Sequence, residues 1–165
     1  MTTPTLRRHA HGDGHDRRLF SLAIGAASIG SDDIRIDVGS KHFTCFLAWD
    51  ADGASVESVS ELVELLLRAG ASYFVCWGKD CERVHDIIDE TISHPDSGLP
   101  SDATIMTTWH SDEPLAEALQ FFLVLAKPDE RYAHTTRAGL AVVVDSPEWE
   151  KVVAAALDDP RTIGE

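Results

Sequence analysis

From His42 onward the chain alternates four times between a short apolar run and a longer segment with helical spacing. The runs are His42 to Ala48, Tyr73 to Trp77, Thr104 to Thr108 and Leu140 to Val144. A strand that is apolar on both sides of its pleat has to be covered on both faces, and Phe43-Thr44-Cys45-Phe46-Leu47-Ala48 is of that kind. Strand-helix alternation folds as a parallel sheet with right-handed crossovers and helices above and below it. The expected fold is therefore α/β: a three-layer Rossmann-like or flavodoxin-like sandwich of four parallel strand-helix units. An antiparallel N-terminal edge strand is expected from Ile34, Ile36 and Val38, which alternate with Arg35 and Asp37 and turn at Gly39-Ser40 into the first parallel strand. Strand order 2-1-3-4 is expected for the four parallel strands, with a crevice between the first and third.

The helices carry recognisable start and stop signals. The first runs from Ser55 or Ser58 to Ala69: Ser58-Val59-Ser60-Glu61 fits a capping box, Val59, Leu62, Val63 and Leu66 form the apolar face, and Gly70 suits the C-terminal cap. The second covers Asp80 to Ser93, with Cys81, Val84, Ile87, Ile88 and Ile92 inward and Pro95 beyond its end. The third spans Asp112 to Ala126, and Phe121, Leu123 and Val124 broaden its apolar surface toward burial or a homodimer through the helix around Phe121. Ser146-Pro147-Glu148 starts the fourth, with Trp149, Val152, Val153, Ala156 and Leu157 inward.

Residues 1–30 read as a mobile tail and 31–165 as a single α/β domain. His9, His11 and His15 lie among Arg, Gly and Asp with no apolar period. Arg17-Arg18-Leu19-Phe20 and the small apolar run to Gly30 look superficially like a twin-arginine export signal. The run is broken by Ser21 and Gly25 and is too short to span a bilayer, so the expected location is the cytoplasm, with export the lesser alternative. Cys45, Cys76 and Cys81 suit a reducing compartment; their odd number implies no disulfide framework, and Cys76 and Cys81 lack a zinc-binding spacing.

Charge narrows the partners. The chain carries a formal net charge of −14. Residues 1–40 hold five Arg and five Asp, so the acidic excess lies beyond them. An anionic surface without a basic stripe is repelled by nucleic-acid backbones and acidic membranes, which excludes both as partners and favours a small molecule or a basic protein.

In parallel sheets ligands bind beyond the carboxyl ends of the strands. Trp49-Asp50-Ala51-Asp52-Gly53, Trp77-Gly78-Lys79-Asp80-Cys81, Trp109-His110-Ser111-Asp112-Glu113 and Asp145-Ser146-Pro147-Glu148 follow the four strands. The expected binding residues are Trp49, Trp77, Lys79, Asp80, Trp109, His110 and Asp112, on a Trp- and Asp-rich rim. Asp50, Asp52 and Asp145 are expected ligands for Mg²⁺, which favours one or two carboxylates completed by water and substrate oxygens. The same residues also serve as helix caps and as a roof for the core. Neither GxGxxG nor GxxxxGK[ST] occurs, which disfavours dinucleotide and P-loop chemistry.

Asp50-Ala51-Asp52-Gly53 after an apolar strand resembles the first motif of haloacid-dehalogenase-type phosphatases. That resemblance implies Asp50 as nucleophile and Asp52 as acid/base beside Mg²⁺, with Asp145 and Glu148 as the late acidic pair. Where that family ends its second core strand with Ser or Thr, this chain has Cys76-Trp77. Cys81, in the first turn of a helix and facing His110, is a further candidate nucleophile, although its register with Val84 and Ile88 fits a core thiol. Two functions result: a small acidic binding or interaction domain, and a Mg²⁺-dependent hydrolase of phosphatase type. A third is an inhibitor or immunity-type protein that neutralises a basic partner.

Overall fold

A computed structural model describes residues 4–9, 17–100 and 104–160. Six strands form one sheet: β1 (Leu6–His9), β2 (Arg18–Ile24), β3 (His42–Ala48), β4 (Ala71–Trp77), β5 (Met106–Trp109) and β6 (Thr136–Val144). Their spatial order is β1-β2-β6-β3-β4-β5. All neighbours are parallel except the β1-β2 edge pair, so the fold is a Rossmann- or flavodoxin-like α/β sandwich.

Side-chain alternation along the strands divides the core into two layers. Phe43, Cys45 and Leu47 of β3 face helices α1 (Val56–Ala69) and α2 (Cys81–Ser93). Phe46 and Ala48 face the opposite layer, formed by α3 (Leu115–Gln120) and α5 (Pro147–Asp158). A further short helix, α4 (Glu130–Ala133), precedes β6. Helix α1 is held by Ser55, whose hydroxyl accepts from Ser58 N–H at 3.0 Å, and it ends at Gly70 in the left-handed region. Ser146 caps α5 and Pro147 occupies its first turn, as the sequence implies.

Several expectations are corrected. The antiparallel edge pair is β1-β2. Ile34 to Val38 forms no hairpin with β3; Ile34 and Val38 are buried against the α1/α2 layer instead. Arg18-Leu19-Phe20 belongs to the sheet and not to a tail, with Arg17 just before it: Leu19 faces one layer, Phe20 the other, and β2 pairs with β6 from Arg18↔Ala138 to Ile24↔Val144. His9 is also part of the fold, on β1, while His11 and His15 lie outside the described residues. Among the described residues no helix is long and apolar enough to cross a membrane.

The order of the four repeated strands is β6-β3-β4-β5, not 2-1-3-4. Helices α1 and α2 lie in the same layer and each carries the chain one strand onward, whereas the connection through α3 in the opposite layer returns it past β4 and β3. The reversal therefore falls between β3 and β6.

The third helix is shorter than its apolar pattern implies. Pro114 stands at its N-cap, and after Gln120 the backbone widens into a π-helical turn over Phe121–Leu125. Arg17 holds the end of this turn, donating to the carbonyls of Phe122 (3.4 Å), Leu123 (3.1 Å) and Ala126 (3.3 Å) and to Thr44 Oγ1 (2.7 Å). A cation beside the orphan carbonyls of a helix end is favourable both as donor and as charge.

Candidate functional site

The carboxyl ends of the strands form a rim whose loops are stitched to one another. Beyond β3 and β4, Trp49 N–H donates to Trp77 O and Ala51 N–H to Lys79 O, both at 3.0 Å. Asp50 Oδ1 accepts from Lys79 N–H at 2.8 Å. Gly78 makes this possible: its φ is +119°, and a Cβ there would lie 2.2 Å from Trp49 O. Beyond β6, Asp145 adopts φ 53°, donates its N–H to Ile24 O at 3.0 Å and accepts from Ala26 N–H through Oδ2 at 3.1 Å. Asp80 and Asp112, after β4 and β5, are likewise left-handed at φ 63° and 61°. The loops after β4, β5 and β6 thus each use a left-handed aspartate where the chain turns sharply into the following segment, and the loop after β3 uses Gly53.

The expected tryptophan walls do not meet. Trp49 is buried in the α1/α2 layer. Trp77 faces the other layer, donates Nε1–H to Glu113 O at 2.8 Å and packs edge-on against Trp149 at 4.7 Å between ring centroids. Trp109 is 44% exposed at the end of β5, 4.5 Å from the His85 ring of α2. The reason is the two-residue period of a strand: Ala48 pairs with Trp77 and Cys76 with Trp109, so consecutive rim positions point to opposite faces.

His110 is buried, with Nδ1 3.0 Å from Glu113 Oε2 and Nε2 3.1 Å from Thr108 Oγ1, and its ring lies 4.6 Å from Phe121. Burial pushes the Tyr73 phenol above its ordinary value, against a hydrogen bond with Thr108 that acts the other way. Tyr73, Thr108, His110 and Glu113 therefore form one polar chain that ties β4 and β5 to the start of α3. Lys79, Asp80, Asp112, Asp50 and Asp52 are exposed. Asp80 forms an ion pair with Arg83 at 3.2 Å, and Arg83 also donates to Ala54 O.

The carboxylates expected to hold Mg²⁺ lie in two loops, Asp50 and Asp52 after β3 and Asp145 after β6. Asp50 and Asp145 are tied to different backbone amides, Lys79 and Ala26, and Asp52 is exposed in the turn at Gly53. Among the described residues no three His, Cys, Asp or Glu side chains converge as a metal site. Cys81 is buried, with Sγ 3.7 Å from Ser111 Oγ, and Cys45 and Cys76 are buried with it; burial pushes the Cys45 and Cys76 thiols far up. Phe121 and Phe122 pack inward, the former against Tyr73 and His110 and the latter against Phe46, so the apolar breadth of this segment is mostly used inside the fold. Val124 and Leu125 stay exposed.

A feature that sequence reading missed lies away from the rim. A groove of about 790 Å³ runs between the outer faces of α1 and α2, with the turn at residues 96–99 completing its lining. Val56, Leu67 and Ile87 give it apolar surface, and Glu64, Arg68 and Glu90 give it charge. Its signal in the sequence is Val56 and Leu67, apolar residues outside the inward set Val59, Leu62, Val63 and Leu66.

The curated proteins and the solved structures include no match to this chain. One family model matches residues 30–160, under the description Domain of unknown function (DUF7684). That span takes in β3 to β6 and every helix from α1 to α5, and the chain belongs to the DUF7684 family.

Proposed function

We propose that the protein is a small acidic binding domain that works through its surface and not through catalysis. The observation that carries this reading is the commitment of the rim carboxylates to the fold: Asp50 holds Lys79 N–H, Asp145 holds Ala26 N–H and Glu113 holds His110. Each of these carboxylates has one oxygen tied to a neighbouring loop or side chain, so its place and direction are set by the stitching of the rim. The α1/α2 groove, by contrast, offers apolar and charged groups outward. Three buried free cysteines suit a reducing compartment, in keeping with a cytoplasmic protein.

The test is titration with Mg²⁺ and Mn²⁺, following melting temperature, tryptophan fluorescence and turnover of a generic phosphate ester, in the wild type and in Asp50→Asn. The expected result is no saturable change and no turnover in either protein, with Asp50→Asn folded and within about 0.5 kcal/mol of wild type, because its amide oxygen still accepts from Lys79 N–H. A metal-dependent rise in melting temperature with turnover lost in Asp50→Asn would overturn the reading in favour of the hydrolase.

A further inference from the structure

We propose that the groove between α1 and α2 is the docking site for a cationic amphipathic helix of a partner protein. The inference rests on the binding-domain reading and gives it a surface and a partner chemistry. Shape is the first argument. The α1 wall runs from Val56 to Arg68, about 18 Å at 1.5 Å per residue. A helix of that length and about 10 Å across occupies roughly 1,400 Å³. The groove, at about 790 Å³, has room for part of such a rod; an amphipathic helix lies in a groove with its apolar stripe down and its polar face in water.

The lining supplies the chemistry. Val56 is 53% exposed, an unpaired apolar contact at the start of α1, and Leu67, Ile87 and Leu99 continue the apolar surface. These residues ask for a hydrophobic stripe. Glu64, Glu90 and Asp96 stand in the same lining against the single permanent cation Arg68, so the groove is net acidic on a chain of formal charge −14. That field attracts Lys- and Arg-flanked segments from a distance and repels acidic ones. The occupant that satisfies both requirements is a helix of about three turns with an apolar stripe between basic flanks.

The probe is a fluorescently labelled Leu/Lys amphipathic peptide of about 14 residues, measured by anisotropy against the full chain. Its controls are a scrambled peptide of equal composition and a Leu/Glu peptide of equal pattern. The Leu/Lys peptide is expected to bind with a Kd on the order of 10 μM at low salt and to weaken as salt rises. Ser60→Trp, which places a large ring in the groove from a half-exposed position, should weaken binding at least about tenfold. Glu64→Lys combined with Glu90→Lys, both at exposed positions, should do the same. Melting temperatures confirm that both variants fold. Equal binding by the scrambled peptide, no binding by the Leu/Lys peptide, or unchanged binding in Ser60→Trp overturns the proposal. Unchanged binding in Ser60→Trp would leave the binding-domain reading standing with its surface elsewhere, whereas metal-dependent turnover lost in Asp50→Asn would remove that reading whatever the peptide does.

Discussion

Replacing Gly78 by alanine tests whether the rim is as tightly stitched as its hydrogen bonds imply. Two costs add at this position. The backbone φ of +119° lies where an L-residue is strained, which costs about 1 kcal/mol. The new Cβ would stand 2.2 Å from the backbone oxygen of Trp49, about 1 Å closer than contact allows. Backbone has to move, and the bonds at risk are Trp49 N–H to Trp77 O and Ala51 N–H to Lys79 O, each a net contribution of about 1 kcal/mol. The expected loss is about 3 kcal/mol. Gly53→Ala is the control, because Gly53 also has positive φ, +84°, but nothing lies within 4 Å of its would-be Cβ. It should lose only the strain, about 1 kcal/mol. Urea unfolding followed by tryptophan fluorescence reads both, with Trp49 and Trp77 flanking the perturbed loop, and the dependence on urea should keep its slope. Equal losses in the two variants, or a loss in Gly78→Ala below about 1.5 kcal/mol, would refute the argument.

Arg17→Met keeps the stem of the side chain and removes four hydrogen bonds to Thr44 and the π-helical turn. It should destabilise the protein by about 2 to 3 kcal/mol and speed amide exchange selectively at Phe121–Leu125, whereas a uniform effect on exchange would count against a local role. Cys45 and Cys76 are buried with thiol pKa values pushed up by desolvation. In the unfolded chain these thiols ionise near the ordinary value of 9.0, so the folded state holds more protons above it. Their contribution to stability is complete below pH 9.0 and falls as pH rises beyond it, by up to about 1.4 kcal/mol per pH unit for each thiol. Denaturation at stepped alkaline pH measures the slope, and neither thiol should react with a chromogenic disulfide reagent before unfolding. Fast labelling of both thiols in the native protein would contradict their burial.

The repeated strand-helix pattern was legible because each element carries its own signal. Ser55 and Gly70 bracket α1, Ser146 and Pro147 start α5, and the doubly apolar run of β3 marks a covered strand. What failed were facts of tertiary pairing. Ile34, Ile36 and Val38 alternate as a strand does, but alternation reports only that one side is buried, and here Ile34 and Val38 cover the α1/α2 layer without a ladder. Arg18 to Ile24 reads as a small apolar run beside basic residues, and only its partner β6 makes it a strand. The parting of Trp77 from Trp49 follows from the strand period, since residues one step apart in pairing register point to opposite faces. Strand order and the role of Arg17 in permitting the π-helical turn depend on contacts across the whole chain, and no local spacing encodes them.

The place of β2 beside β6 has a consequence for synthesis on the ribosome. Arg18 pairs with Ala138, so β2 emerges long before β6, and its inner edge is hydrogen-bonded only once β6 has been made. At ordinary elongation rates that interval is on the order of 10 s, during which Leu19, Leu22 and Ile24 have no sheet to cover them. An apolar strand held open for so long is a target for stray pairing with other chains. Two safeguards are already present in the nascent segment: β1 closes the outer edge as an antiparallel neighbour, and Arg17 and Arg18 flank the apolar run as charged gatekeepers. Both arginines take up their native partners, the π-helical turn and Gly39 O, only after the downstream chain has been made.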